Sequence, residues 1–221
     1  MAPGGAYHGR AMVRREEGYV SASSMTAEDV VGLVKSFNPD FYRVATATSE
    51  DEFCRAVARA VRNCLQTLED NRKLWTEADE RQLSKYLSDL LTRGGLPTTA
   101  ETFVNGHVDI VVNHFERGRY RMLGECKIDR GPKHHCAGTT QLMRYCGGSE
   151  KQALSIGFCQ MPNVRARMGD VRKHFDAAEE CHSVAETRDN DLPWSFIGVH
   201  RHPSGTTIEI VHISGNLHEA T

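Results

Sequence analysis

Two apolar runs, HVDIVV at 107–112 and YRMLGECKI at 120–128, flank a charged turn and limit what the chain can fold into more than any other feature. Val111, Val112, Leu123 and Ile128 occupy both parities of these runs. Strands of that kind lie inside a sheet covered on both faces. Each run is nevertheless interrupted by charge: Asp109 in the first, Glu125 and Lys127 in the second. Strand side chains alternate faces with period two, so Glu125 and Lys127 project the same way, roughly 7 Å apart. Asp109 shares its face with His107 and Val111.

Pairing the two strands would bring two carboxylates and an ammonium together. Cross-strand ion pairs on an exposed sheet face are one reading of such a set. Strands covered on both sides argue against it, because unpaired buried charge is costly. An Asp and a Glu converging on one point make a hard oxygen site suited to Mg²⁺ or Mn²⁺. A neighbouring lysine can orient a water or stabilise charge building on a phosphate. The residues by themselves therefore specify a metal and a phosphoester.

Asp109, then Glu125-Cys126-Lys127 as an E-x-K element, then Gln141 and Tyr145 as a Q-x-x-x-Y element, resemble the PD-(D/E)xK nucleases, the restriction-endonuclease-like superfamily, and within it the RecB-like members. The resemblance covers about residues 75–160. It implies an α/β fold with a restriction-endonuclease-like core, a mixed central sheet flanked by helices in the order αβββαβ, with extra N-terminal helices. It also implies a Mg²⁺-dependent (or Mn²⁺-dependent) deoxyribonuclease, an endonuclease by preference, serving restriction, repair or defence against foreign DNA. Asp109, Glu125 and the Cys126 carbonyl would hold the metal, and Lys127 would position the attacking water. Gln141 would hold water or phosphate, and Tyr145 would orient its helix. A glutamate from the preceding helix often stands near the metal in this superfamily; Glu80 is the candidate here, with Glu77 in reserve. Arg119, Arg121, Arg130, Lys133 and Arg144, with Tyr145, are the expected nucleic-acid contacts. Arg165, Arg167, Arg172 and Lys173 form a second basic group.

The rest of the chain frames this core. Residues 1–24, rich in Gly, Ala and Ser, read as disordered or loosely attached. A helical region follows at 25–70, and the nuclease-like domain occupies 71–221. Thr26 with Asp29 predicts a capped helix at about 27–37, ended by Asn38-Pro39-Asp40. Ser49 with Glu52 opens a second helix to about 69, with Arg55, Arg59 and Arg62 off its apolar stripe on a solvated face. Thr76 is expected to cap the next helix, with Glu77 and Asp79 in its first turn. Residues 98–113 read as a hairpin or a bent strand around the turn signal Asn105-Gly106. A helix at about 135–147 carries Gln141 and Tyr145 one turn apart. A strand at 152–161, a helix at 163–181 and a terminal hairpin at 194–202 and 206–214 complete the reading.

The chain's 221 residues allow one sizeable core, and a net charge of −2 offers no global basic field for nucleic acid. A local basic cleft is still compatible with it. No apolar run approaches the ~20 residues of a membrane span, and the first residues lack a signal-peptide core. Seven cysteines without a C-x-x-C pair suggest reduced thiols and a cytoplasmic setting. His134, His135, Cys136, Cys181 and His182 fit no zinc spacing. The histidines at 107, 174, 200, 202 and 212 carry no assigned role. Two rivals to the nuclease stay open: a catalytically silent nucleic-acid-binding module, and an effector switched on by a partner or second messenger acting through residues 25–70. Cutting both strands of a duplex would favour a two-fold homodimer.

Overall fold

Capped helices and apolar strands alternate to build a seven-stranded mixed sheet between two helical layers in the computed structural model, which describes residues 12–15, 18–21, 25–103, 106–116, 118–177 and 182–219. Strands β1 (Met12–Arg15) and β2 (Gly18–Ser21) pair antiparallel as a separate small sheet. This is regular structure where the sequence suggested loose chain; the rest of 1–24 lies outside the described residues.

Helix α1 (Ala27–Phe37) starts at the Thr26–Asp29 capping box. Asn38 and Pro39 end it, but they also begin α2 (Pro39–Ala45), which the sequence reading lacked. Asn38 closes one helix, while its side chain accepts the Phe41 N–H (3.1 Å) at the start of the next. Proline at the first helical position loses nothing, because its missing N–H would have no intrahelical partner.

Helix α3 (Glu50–Asp70) opens at Ser49 as expected. Its stripe of Phe53, Val57, Val61, Leu65 and Leu68 is wholly buried, in one cluster with sheet residues such as Ile110, Met122 and Ile156. Residues 50–70 therefore share the core of the sheet. Arg62 is a correction: it is 4% exposed rather than solvated. Its guanidinium lies 2.6 Å from Glu69 and donates to the Ser214 carbonyl at 2.9 Å. The Asn216 N–H donates to Glu69 at 2.8 Å, so the pair clamps the end of the last strand to α3.

Helix α4 (Glu80–Arg93) begins later than expected. Asp79, not Thr76, is its cap, in a reciprocal box with Gln82, and residues 72–74 form a 3₁₀ turn instead. The shift makes Glu80 the first helical residue. Strands β3 (Thr98–Phe103), β4 (His107–Asn113) and β5 (Arg121–Ile128), helix α5 (Pro132–Tyr145) and strand β6 (Gln152–Cys159) follow in the expected order. The β3–β4 hairpin forms as predicted, although Asn105 lies outside the described residues. Helix α6 (Val164–Ala177) and strands β7 (Arg188–Asp189), β8 (Ser195–Arg201) and β9 (Thr207–Asn216) complete the chain.

The sheet order is β3-β4-β5-β6-β9-β8-β7. β3, β4 and β5 form an antiparallel meander, and β6 lies parallel to both β5 and β9. Helices α3 and α4 cover one face, packing on Ile110, Val112, Met122 and Cys126. The other face takes α5 against Val111 and Leu123, and α6 against Cys159 and Phe196. Among the described residues no helix is long and apolar enough to cross a membrane. Cysteines 54, 64, 126, 146 and 159 are free thiols, whereas Cys136 is in a disulfide, against the expectation of reduced thiols throughout.

Three of the unassigned or discounted histidines meet under α5 and α6. His135 Nε2 lies 3.0 Å from His212 Nδ1, and His212 Nε2 lies 3.4 Å from His200 Nε2. Burial, against the pull of Asp129, pushes His135 down to about 4, and burial with two imidazole neighbours holds His212 well below its usual range. Both are neutral when folded at pH 7, yet the unfolded chain protonates them near pH 6.5. Stability is thus full above that pH and falls as pH drops towards 4, by about 2 kcal/mol at pH 5 from His135 alone, with His212 acting in the same direction. Thermal unfolding at pH 7.5 and pH 5.0 should show the acidic midpoint several degrees lower; equal midpoints would contradict a buried neutral His135 and His212.

Candidate active site

The first three motif residues come together where β4 and β5 part. Ile110 pairs with Gly124, so the next step of the ladder brings Asp109 opposite Glu125. The strands no longer bond backbone to backbone there. Instead the Asp109 carboxylate accepts the Cys126 N–H at 2.8 Å. In a strand the N–H and C=O of one residue point to the same side, so the Cys126 carbonyl faces the β4 edge as well.

Glu125 is 1% exposed. Its Oε1 lies 2.7 Å from Lys127 Nζ, which leaves Oε2 as a buried oxygen without a hydrogen-bond partner. Burial and the charge of Asp109, opposed by Lys127, push its carboxyl up to about 7. The proton therefore sits more easily on Glu125 than on an exposed glutamate, and a cation would reverse that. Lys127 also loses by burial, but Glu125 and Glu80 outweigh the loss and hold its ammonium firmly protonated.

Glu80 reaches this point from the other side of the sheet. Its carboxylate receives Lys127 Nζ at 3.0 Å and the Ile128 N–H at 3.0 Å. The candidate glutamate of the preceding helix is thus at the site, held by strand backbone. Glu77, the reserve, is an exposed residue before the helix. Among the described residues no group of three His, Cys, Asp or Glu side chains is disposed as a ready metal cage. The donors that fit a hard cation are Asp109, Glu125 and the Cys126 carbonyl, with Glu125 Oε2 a buried oxygen that lacks a hydrogen bond.

Helix α5 roofs the site with the stripe His134, Gly138, Gln141 and Tyr145. Gln141 donates to the Tyr145 hydroxyl at 2.6 Å, joining the two residues of the Q-x-x-x-Y element. The Tyr145 ring presses on Gly106, whose φ of +146° and lack of Cβ allow the approach; a methyl there would sit 2.2 Å from the ring. Tyr145 therefore pins the β3–β4 turn under α5. Behind Glu125 the strand register continues through Ser155 to His212, and Ser155 Oγ lies 3.0 Å from His135. A buried polar row thus runs from the carboxylates to the histidine trio.

No protein-family model, curated protein or solved structure matches the chain. Its function has to be read from this geometry.

The expected nucleic-acid contacts divide. Arg130, Lys133 and Arg144 are exposed and make no ion pair with any described residue; Arg165 behaves alike. Arg119 and Arg121 pair within the fold instead. Arg121 Nε donates to the almost buried Glu150 at 2.8 Å, which also accepts the Gly147 N–H. Arg119 pairs with Glu116 at 2.9 Å and donates to the Thr48 carbonyl at 2.9 Å. Both stand at the start of β5, roughly 13 Å or more from Glu125 along the strand. In the second group Arg167 pairs with Asp129 and Arg172 with Asp189.

A groove of about 620 Å³ lies elsewhere, lined in part by Asp51, Arg55, Arg59, Lys151, Arg188 and Glu209. Its charges are of both signs and Arg188 pairs with Glu209, so it lacks the converging carboxylates and ammonium that mark the other site. Gly138, which touches Lys127, escaped the sequence reading. Its signal was present: a glycine inside a helix, three residues before Gln141 on the same stripe.

Proposed function

We propose that the chain is a Mg²⁺-dependent deoxyribonuclease of the PD-(D/E)xK type, acting as an endonuclease with its core at α4-β3-β4-β5-α5-β6. The observation that carries the reading is the buried Glu125, opposite Asp109, with one oxygen 2.7 Å from the Lys127 ammonium and the other without a hydrogen-bond partner. Two converging carboxylates next to a lysine, where two strands part, suit a hard cation and a phosphate better than they suit a stable core.

Asp109, Glu125 and the Cys126 carbonyl would hold the ion. When bound, it would polarise the scissile phosphate and lower the pKa of a water. Lys127, held between Glu80 and Glu125, would direct that water by hydrogen bonding and face the charge that builds on the phosphoryl oxygens. Glu80 orients the ammonium through two contacts at 3.0 Å, one to Nζ and one to the Ile128 N–H. Gln141 and Tyr145 would keep α5 over the site. Arg130, Lys133 and Arg144 would meet the backbone phosphates without reading sequence. Cleavage of both strands would need two such sites, so the reading carries a two-fold dimer with it.

Incubation with supercoiled plasmid, linear duplex and single-stranded DNA, in Mg²⁺, Mn²⁺ or EDTA, tests this. Nicking or linearisation of plasmid that needs the metal and disappears in Asp109→Ala is the expected result. Intact substrates in every condition, with DNA binding unchanged by Asp109→Ala, would sink the nuclease and leave a binding module.

A further inference from the structure

Gly138 stands well inside α5 (Pro132–Tyr145), where glycine is disfavoured because its backbone loses more freedom on ordering than that of any other residue. What surrounds it accounts for its presence. A methyl built on Gly138 would lie 2.8 Å from Lys127 Cγ, 3.3 Å from Cε and 3.5 Å from Cδ. The lysine stem thus runs along α5 at its one position without a side chain. Cγ is the near end of that stem, so it cannot move aside without carrying the ammonium with it. The far end is set just as closely, with Nζ 2.7 Å from Glu125 Oε1 and 3.0 Å from Glu80 Oε1. Glu80 cannot follow a displaced ammonium freely, since its other oxygen receives the Ile128 N–H.

We propose that Gly138 is a positioning residue: a side-chain-free slot in α5 that aims the Lys127 ammonium between Glu80 and Glu125. Its functional consequence rests on the nuclease reading, whereas its geometric core does not. A glycine needed only for close packing of α5 on the sheet would be equally intolerant of a methyl whatever stood at 127. A glycine that serves Lys127 would become dispensable once the stem is gone.

A double-mutant cycle of Gly138→Ala and Lys127→Ala in the full chain separates the two, read by thermal unfolding in EDTA and by DNA cleavage in Mg²⁺. Gly138→Ala should lower the midpoint when Lys127 is present. In the Lys127→Ala background it should raise it by about 2 °C, as alanine favours the helix and has room. In the cleavage arm Gly138→Ala should lower kcat by about 10- to 100-fold with KM unchanged, as expected for a misaimed group. The double variant should cleave no more slowly than Lys127→Ala alone. Equal midpoint changes in both backgrounds, or additive losses of kcat, would overturn the proposal. Should the wild type cut no DNA, the nuclease reading fails, and the thermal cycle still decides the role of Gly138.

Discussion

Lys127→Ala should reduce the kcat of metal-dependent DNA cleavage by about 10²- to 10³-fold, the usual cost of removing one preorganised charge from a developing oxyanion. DNA affinity should change little, because a single phosphate contact is one of several. Lys127→Arg should not restore the rate. Its planar fork needs a different approach to a carboxylate than an ammonium, and the stem lies in the narrow slot beside Gly138. Single-turnover cleavage of a labelled duplex, next to a filter-binding titration in Ca²⁺, measures both quantities. A variant that cuts at the wild-type rate would remove Lys127 from the mechanism and with it the argument from Glu125.

The largest effect on stability is expected far from that site. Glu69→Ala leaves the Arg62 guanidinium, 4% exposed, without its counter-charge at 2.6 Å, and deprives the Asn216 N–H of its acceptor. Stripping one partner from a buried pair costs about 3–5 kcal/mol. At ~2–4 °C per kcal/mol for a chain of this size, the unfolding midpoint should fall by roughly 10 °C. Arg62→Met together with Glu69→Ala should be less harmful than Glu69→Ala alone, because no buried charge is then left unpaired. A double variant as unstable as the single one, by urea or thermal unfolding, would show that the clamp acts only through its hydrogen bonds to β9.

Much of the architecture could be read along the chain. Ser49 and the Thr26–Asp29 box cap helices where they were expected to, although the Glu52 carboxylate accepts the Thr48 N–H rather than closing a box on Ser49. The runs at 107–112 and 120–128 become neighbouring strands, and the order from α4 to β6 follows the sequence reading. These features are local: a cap involves residues three apart, and a strand face repeats every second residue. Asp109, Glu125 and Lys127 were visible for the same reason, since charge in a run apolar on both faces breaks a local pattern.

Partnership between distant elements was beyond that kind of reading. Arg62 and Arg121 resemble any surface arginine until the fold gives one Glu69 with the Ser214 carbonyl, and the other Glu150. Ser155, His135, His200 and His212 become one buried group only because β6, α5, β8 and β9 meet. The sequence by itself determined the elements, the faces of the two central strands and the types of group that interrupt them. The tertiary structure alone decided which charges are satisfied, that Glu80 meets Lys127 at a separation of 47 positions, and that Gly138 leaves room for the lysine stem. The physical reason is that periodicity is a property of one segment, whereas burial and pairing are set by which segments the packed core brings together.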